Sequence, residues 1–99
     1  MDVERFPLPC MADTKLLERT LKALANRKRL EIIVHLKKHH TLIVSELARL
    51  IDMKIHATSK HLRILTSVGI LESTKRGLFV SYRISLKQEE TAKCVLRQL

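Results

Sequence analysis

Five residues between positions 56 and 67 have the spacing that puts them on one side of a helix. His56, Ser59, Lys60, Arg63 and Ser67 recur at i, i+3, i+4, i+7 and i+11. Imidazole, hydroxyl, ammonium and guanidinium groups all donate hydrogen bonds, and no carboxylate interrupts the set. Such a face suits base edges and phosphate oxygens in a DNA major groove. The plainer alternative is an ordinary solvated helix face. His61 borders the neighbouring apolar stripe and reads either as a packed imidazole or as a further phosphate or base contact.

Other residue sets point to other chemistry and carry less. Glu31, His35 and His39 stand at i, i+4 and i+8 and offer two imidazoles to a metal. Tetrahedral zinc wants four ligands, however, and no further Cys or Asp is placed to complete the set, so a polar helix edge is the simpler reading. Cys10 and Cys94 form a possible thiol sensor for oxidants, reactive sulfur or a soft metalloid. Against that, cysteine is commonly a small buried hydrophobe, and Cys94 reads as lying on the apolar side of the last helix. No Gly-rich phosphate loop, no paired carboxylates at catalytic spacing and no nucleophile–His–Asp set that a small helical domain could assemble is present, so the chain reads as no enzyme, and no cofactor is called for.

The elements that must position these groups follow from periodicity and breakers. Both prolines, Pro7 and Pro9, fall in the first ten residues and both glycines, Gly69 and Gly77, fall late, so residues 11–68 suit helices joined by short polar turns. Residues 1–12 read as an N-terminal arm and 13–99 as one domain. Asp13 caps a first helix to about residue 25 with Leu17, Leu21 and Leu24 as its stripe. Asn26 caps a second, striped by Leu30, Ile33 and Val34 and extended by Leu36 and Lys37. Leu42-Ile43-Val44 is β-prone, and Ser45 caps a third helix with Glu46 in its first turn. Asp52 marks a turn, and a fourth helix spans residues 55–68 with Thr58, Leu62 and Leu65 facing the core.

After Gly69 the period shortens to two. Residues 70–75 and 78–84 read as strands around an Arg76-Gly77 turn, with Val80, Tyr82 and Ile84 alternating against Ser81 and Arg83. A last helix over residues 86–99 carries Ala92, Val95, Leu96 and Leu99. The expected fold is mostly α with a small β-hairpin wing: a winged helix-turn-helix in the order α-α-α-α-β-β-α.

Composition narrows the partner. Ninety-nine residues allow one domain, and 45% apolar content with 3% aromatic means an aliphatic core. A net charge of +9 favours a polyanion. Two cysteines are too few for a disulfide scaffold, no apolar run approaches the roughly 20 residues of a membrane span, and residues 1–6 lack the build of a signal peptide. A cytoplasmic protein with no membrane partner is expected. Two alternatives, a protein-interaction module and an RNA-binding module, fit less well. The first often loses the basic face, and the second wants more aromatic platforms than Phe6, Phe79 and Tyr82 provide.

Over residues 21–84 the chain resembles the ArsR/SmtB family of small bacterial and archaeal winged-helix transcriptional regulators. The resemblance rests on Leu24-Ala25-Asn26-Arg27-Lys28-Arg29-Leu30-Glu31-Ile32-Ile33, on Val44-Ser45-Glu46-Leu47-Ala48, and on Ser59-Lys60-His61-Leu62-Arg63-Ile64-Leu65. Val68-Gly69-Ile70-Leu71 and Gly77-Leu78-Phe79-Val80-Ser81-Tyr82-Arg83-Ile84 complete it. It implies a homodimer built from the first and last helices that binds double-stranded DNA at an inverted repeat, as an effector-released repressor. Two reading helices would then lie roughly 34–36 Å apart along the duplex. His56, Ser59, Lys60 and Arg63 would read bases while Lys54, Lys75 and Arg76 contact phosphates.

Three positions depart from the family pattern. Lys54 stands where Ser or Thr usually precedes the reading helix, Ala57 replaces a small hydroxyl, and Leu78 occupies a commonly basic wing position. The family's thiolate metal site would need cysteines at Ile43 and Ser45, and its other site needs Asp and His in the last helix, whereas no His follows His61. Neither metal site is expected, which leaves the effector unassigned.

Overall fold

The computed structural model describes residues 14–87 and 90–99. The arm, Cys10 and Asp13 lie outside them. Among the described residues the order is α1 (Thr14–Leu24), α2 (Arg27–His39), β1 (Leu42–Ile43), α3 (Val44–Leu50), α4 (Ile55–Ser67), β2 (Leu71–Arg76), β3 (Phe79–Ile84) and α5 (Glu90–Arg97). Apart from the short β1 strand, chain order and helix-turn-helix spacing are as the sequence pattern implies.

Each junction has a local cause. Asn26, extended at φ −153°, accepts from the backbone N–H groups of Lys28 and Arg29 at 3.0 and 3.2 Å and so starts α2. His40 ends that helix at φ 68°. The cap of α3 is Ile43 rather than Ser45, because Glu46 Oε1 accepts from the Ile43 N–H at 2.9 Å and the helix begins two residues earlier than expected. Asp52 takes the left-handed conformation at φ 54° in the four-residue turn before α4.

The end of α4 is a Schellman closure: Ile70 N–H donates to Leu65 O at 3.0 Å and Gly69 N–H to Thr66 O at 3.1 Å. That geometry requires the positive φ of Gly69, 81°, and it sends the chain into β2 with Ile70 fully buried.

The sheet has three strands, not the hairpin alone. β1 pairs antiparallel with β3 through Leu42↔Tyr82 and Ile43↔Ser81, giving the order β1-β3-β2. The hairpin turn is Gly77-Leu78 rather than Arg76-Gly77, since Arg76 pairs with Phe79. Gly77 has φ 61° at the first central position, as a type II′ turn demands.

The core joins Leu24, Ile32, Ile33, Leu36, Leu47, Leu62, Leu65, Ile70 and Leu96. Two expected stripes rotate. In α2 the buried residues are Ile32, Ile33 and Leu36, whereas Val34 is 40% exposed. In α1 they are Thr20, Ala23 and Leu24, whereas Leu21 is 45% exposed. Thr20 and Ala23 take the inner positions of α1, which leaves Leu17 half-buried and Leu21 exposed. α5 begins at Glu90, later than expected, and Leu86 before it is exposed.

Candidate nucleic-acid interface

The reading helix is built on its inner side. Thr58, Leu62 and Leu65 are buried, and the Thr58 hydroxyl donates to Lys54 O at 2.9 Å, one turn back. The helix is thereby pinned, and the opposite face stands clear. His56, Lys60, Arg63 and Ser67 are exposed there and Ser59 is half-buried. Among the described residues no side chain caps α4, and the exposed Lys54 occupies the N-cap. The ammonium therefore adds to the positive end of the helix dipole.

The wing supplies the second wall. Ser59, Arg63, Thr66 and Ser67 of α4 face Ser73 and Tyr82 of the hairpin across a groove of about 470 Å³. Five hydroxyl groups and one guanidinium line it, and Ser73 and Tyr82 are direct register partners. Sequence reasoning missed Ser73, Thr66 and Tyr82. Placing the turn one residue early would pair Ser73 with Val80 instead, so only the correct register reveals the pair.

Lys75 and Arg76, both exposed, part company in the hairpin. Strand alternation puts Lys75 on the face shared with Ser73 and Tyr82. Arg76 lies on the other face, with Thr74, Phe79, Ser81 and Arg83 around a concavity of about 530 Å³. On that outer face Arg83 is paired to Glu72 at 2.6 Å.

His61 sits apart from the groove-facing set. It is half-buried, and its Nδ1 accepts a hydrogen bond from Arg29 Nε of α2 at 3.1 Å. Burial, and then the Arg29 charge, push its pKa below the ordinary histidine value of 6.5. Of the two readings open for His61, the packed imidazole is the one this geometry supports.

The other candidate groups are placed as follows. Glu31 turns to Arg27 and Lys28 at 3.9 and 3.6 Å, while the His35 and His39 rings stack with centroids 6.4 Å apart. Cys94 is exposed rather than on the apolar side of α5. The buried residues are Ala92 and Leu96, each two positions away and so on the far side of the helix. Its sulfur lies 3.8 Å from Arg97 Nη2.

A different surface lies on α1. Leu17, Leu21 and Ala25, with Thr14, Glu18 and Lys22 at the edges, form an open apolar groove of about 380 Å³.

Comparison with known proteins places this architecture. The family model described as HVO_A0114 matches residues 24–84. The cadmium resistance transcriptional regulatory protein CadC of Listeria innocua is 35% identical over 72 residues, covering 73% of this chain and 60% of that protein. The chain thus spans about 60% of the length of the curated relatives it matches. Reduced HlyU from Vibrio cholerae superposes with a TM-score of 0.74 at 27% identity, covering 94% of each chain. The homodimeric winged helix-turn-helix DNA-binding domain Mb0332 from Mycobacterium bovis, a possible ArsR-family transcriptional regulator, gives 0.75 at 27% identity, covering 94% of this chain and 82% of that one.

Proposed function

The chain belongs to the HVO_A0114 family and, with the relatives above, to the ArsR/SmtB winged-helix transcriptional regulators; from that premise we propose that it acts as a homodimeric, sequence-specific binder of double-stranded DNA, a cytoplasmic repressor working on an inverted-repeat operator. The observation that carries this reading is the uncovered face of α4. His56, Lys60 and Arg63 project from a helix pinned on its other side, with no carboxylate among them. A major groove about 12 Å wide admits such a helix, and Lys and Arg there pair with guanine edges.

In this reading His56, Ser59, Lys60 and Arg63 contact bases. Lys54, Lys75 and Arg76 hold phosphates, joined by Ser73 and Tyr82 across the groove. The +9 charge of each protomer supplies the long-range attraction. The α1 groove, covered by a second copy, supplies the two-fold axis that an inverted repeat mirrors.

Selection of bound duplexes from a random library at physiological salt tests this. The expected result is an enriched inverted repeat with half-sites about one helical turn apart. Specific sites are typically roughly 10³–10⁷ tighter than non-specific ones, so enrichment should be strong. Salt-sensitive retention without enrichment would overturn the reading in favour of an RNA or protein partner.

A further inference from the structure

The N-terminal turn of α2 is a hub, and its polar contacts exceed what capping requires. The last four carbonyls of α1 belong to Leu21, Lys22, Ala23 and Leu24. Leu21 O accepts from Ala25 N–H and Leu24 O from Asn26 N–H, at 2.9 and 2.8 Å. The remaining two, Lys22 O and Ala23 O, both accept from Arg29 Nη1 at 3.3 Å. Every orphan carbonyl of that helix end is therefore satisfied, and a fixed cation sits at its negative pole. The same guanidinium points its Nε at His61 of α4, 32 residues away in sequence. Its neighbour Lys28 donates to Ile51 O at 2.6 Å, at the start of the turn between α3 and α4.

We propose that Arg29 is a positioning residue for DNA reading: its planar guanidinium ties the C-terminal carbonyls of α1 to His61 and so sets the pose of α4 relative to the α1 face. The proposal rests on the DNA-binding reading above and deepens it. Only a fork with donors in fixed, diverging directions makes both contacts at once. A lysine ammonium retains the charge at the end of α1 but reaches one partner or the other. His61 accepts at Nδ1, so its ring is neutral with the proton on Nε2, and its lowered pKa agrees with that state. His56, Lys60 and Arg63 share a rigid helix with His61, and a small rotation about its axis would move all three out of register with the base edges.

The experiment uses the full chain, a duplex enriched by selection, and a scrambled duplex of equal length. Arg29→Lys is expected to lower the ratio of enriched to scrambled affinity at least tenfold while scrambled affinity stays within twofold. His61→Leu should reproduce that loss, and His61→Gln, which keeps an acceptor, should stay within threefold of the unaltered protein. The double variant Arg29→Lys/His61→Leu should be no worse than either single one. A lowered melting temperature with the affinity ratio unchanged in Arg29→Lys would overturn the proposal, as would equal behaviour of His61→Gln and His61→Leu.

A DNA-free readout separates this from the function itself. In ¹H–¹⁵N spectra Arg29→Lys should shift the amides of residues 59–63, and unmoved signals would refute the link. If the unaltered protein enriches no duplex, DNA reading fails, while the amide shifts still decide whether Arg29 positions α4.

Discussion

α1 and α4 are both amphipathic helices that bury one face and leave another uncovered, yet the two uncovered faces have opposite chemistry. On α4 it carries His56, Lys60 and Arg63. On α1 it carries Leu17 and Leu21 over an apolar groove. A solvated polar face costs nothing in the single chain and gains when a polyanion arrives. An apolar groove is already unfavourable in water and gains by being covered. The difference teaches that one core orients two surfaces of opposite chemistry, which the proposed reading assigns to nucleic acid and to a second copy of the chain.

The largest expected effect comes from breaking the α1 side. Leu21→Glu places a charge where the apolar groove would close, and because Leu21 is 45% exposed in one chain the fold itself should persist. The expected outcome is a folded monomer by sedimentation whose affinity for an enriched inverted repeat drops on the order of 100-fold, since the second half-site no longer contributes. A dimer that survives this change would remove α1 from the interface.

Next is the α4 side. Arg63→Ala and Lys60→Ala should each cost about 1–3 kcal/mol on an enriched duplex if they read bases, with discrimination lost at one base pair. Lys75→Ala should weaken enriched and scrambled duplexes alike and reduce the salt slope by about 1. Circular dichroism should be unchanged in all three. Uniform loss from Arg63→Ala would reassign it to phosphate.

A smaller effect probes where the two helices are joined. His61 has a folded-state pKa below 6.5, caused first by burial and then by Arg29. The unfolded chain therefore binds more protons than the fold as pH falls below the ordinary value. The stabilisation is complete above about pH 6.5 and is lost as pH falls through the folded-state pKa. The melting temperature of the unaltered protein should fall more steeply between pH 7 and pH 5 than that of His61→Gln. Parallel curves would mean that His61 does not titrate against Arg29.

What was legible in the sequence divides along the same line. The α4 face could be read because 3.6-residue periodicity is local, and the helix-turn-helix spacing because Asp52 marks its turn and Gly69 its end. The α1 stripe was legible only as apolar. Nothing local says that Thr20 and Ala23 face the core while Leu21 faces outward, since that choice belongs to tertiary packing. β1 is too short, at two residues, to show alternation. Ser73 and Tyr82 meet only through hairpin register, and Arg29 meets His61 only through the fold.

The smallest expected effect contrasts two buried threonines. Thr58 of α4 and Thr20 of α1 are both fully buried. Thr58 donates its hydroxyl to Lys54 O, whereas Thr20 Oγ1 has no hydrogen-bond partner among the described residues. A buried hydroxyl without a partner carries its desolvation cost uncompensated, and a methyl group of the same shape removes that cost. Helix propensity does not decide the outcome, because valine and threonine rank closely. Thr20→Val should therefore stabilise the protein by up to about 1 kcal/mol, a rise of a few degrees in melting temperature. Thr58→Val should instead be neutral or destabilising by about 1 kcal/mol, because it discards a hydrogen bond. Equal melting shifts from the two substitutions would mean that the Thr20 hydroxyl finds a partner in solution, such as an ordered water, and that the inner faces of α1 and α4 are satisfied alike.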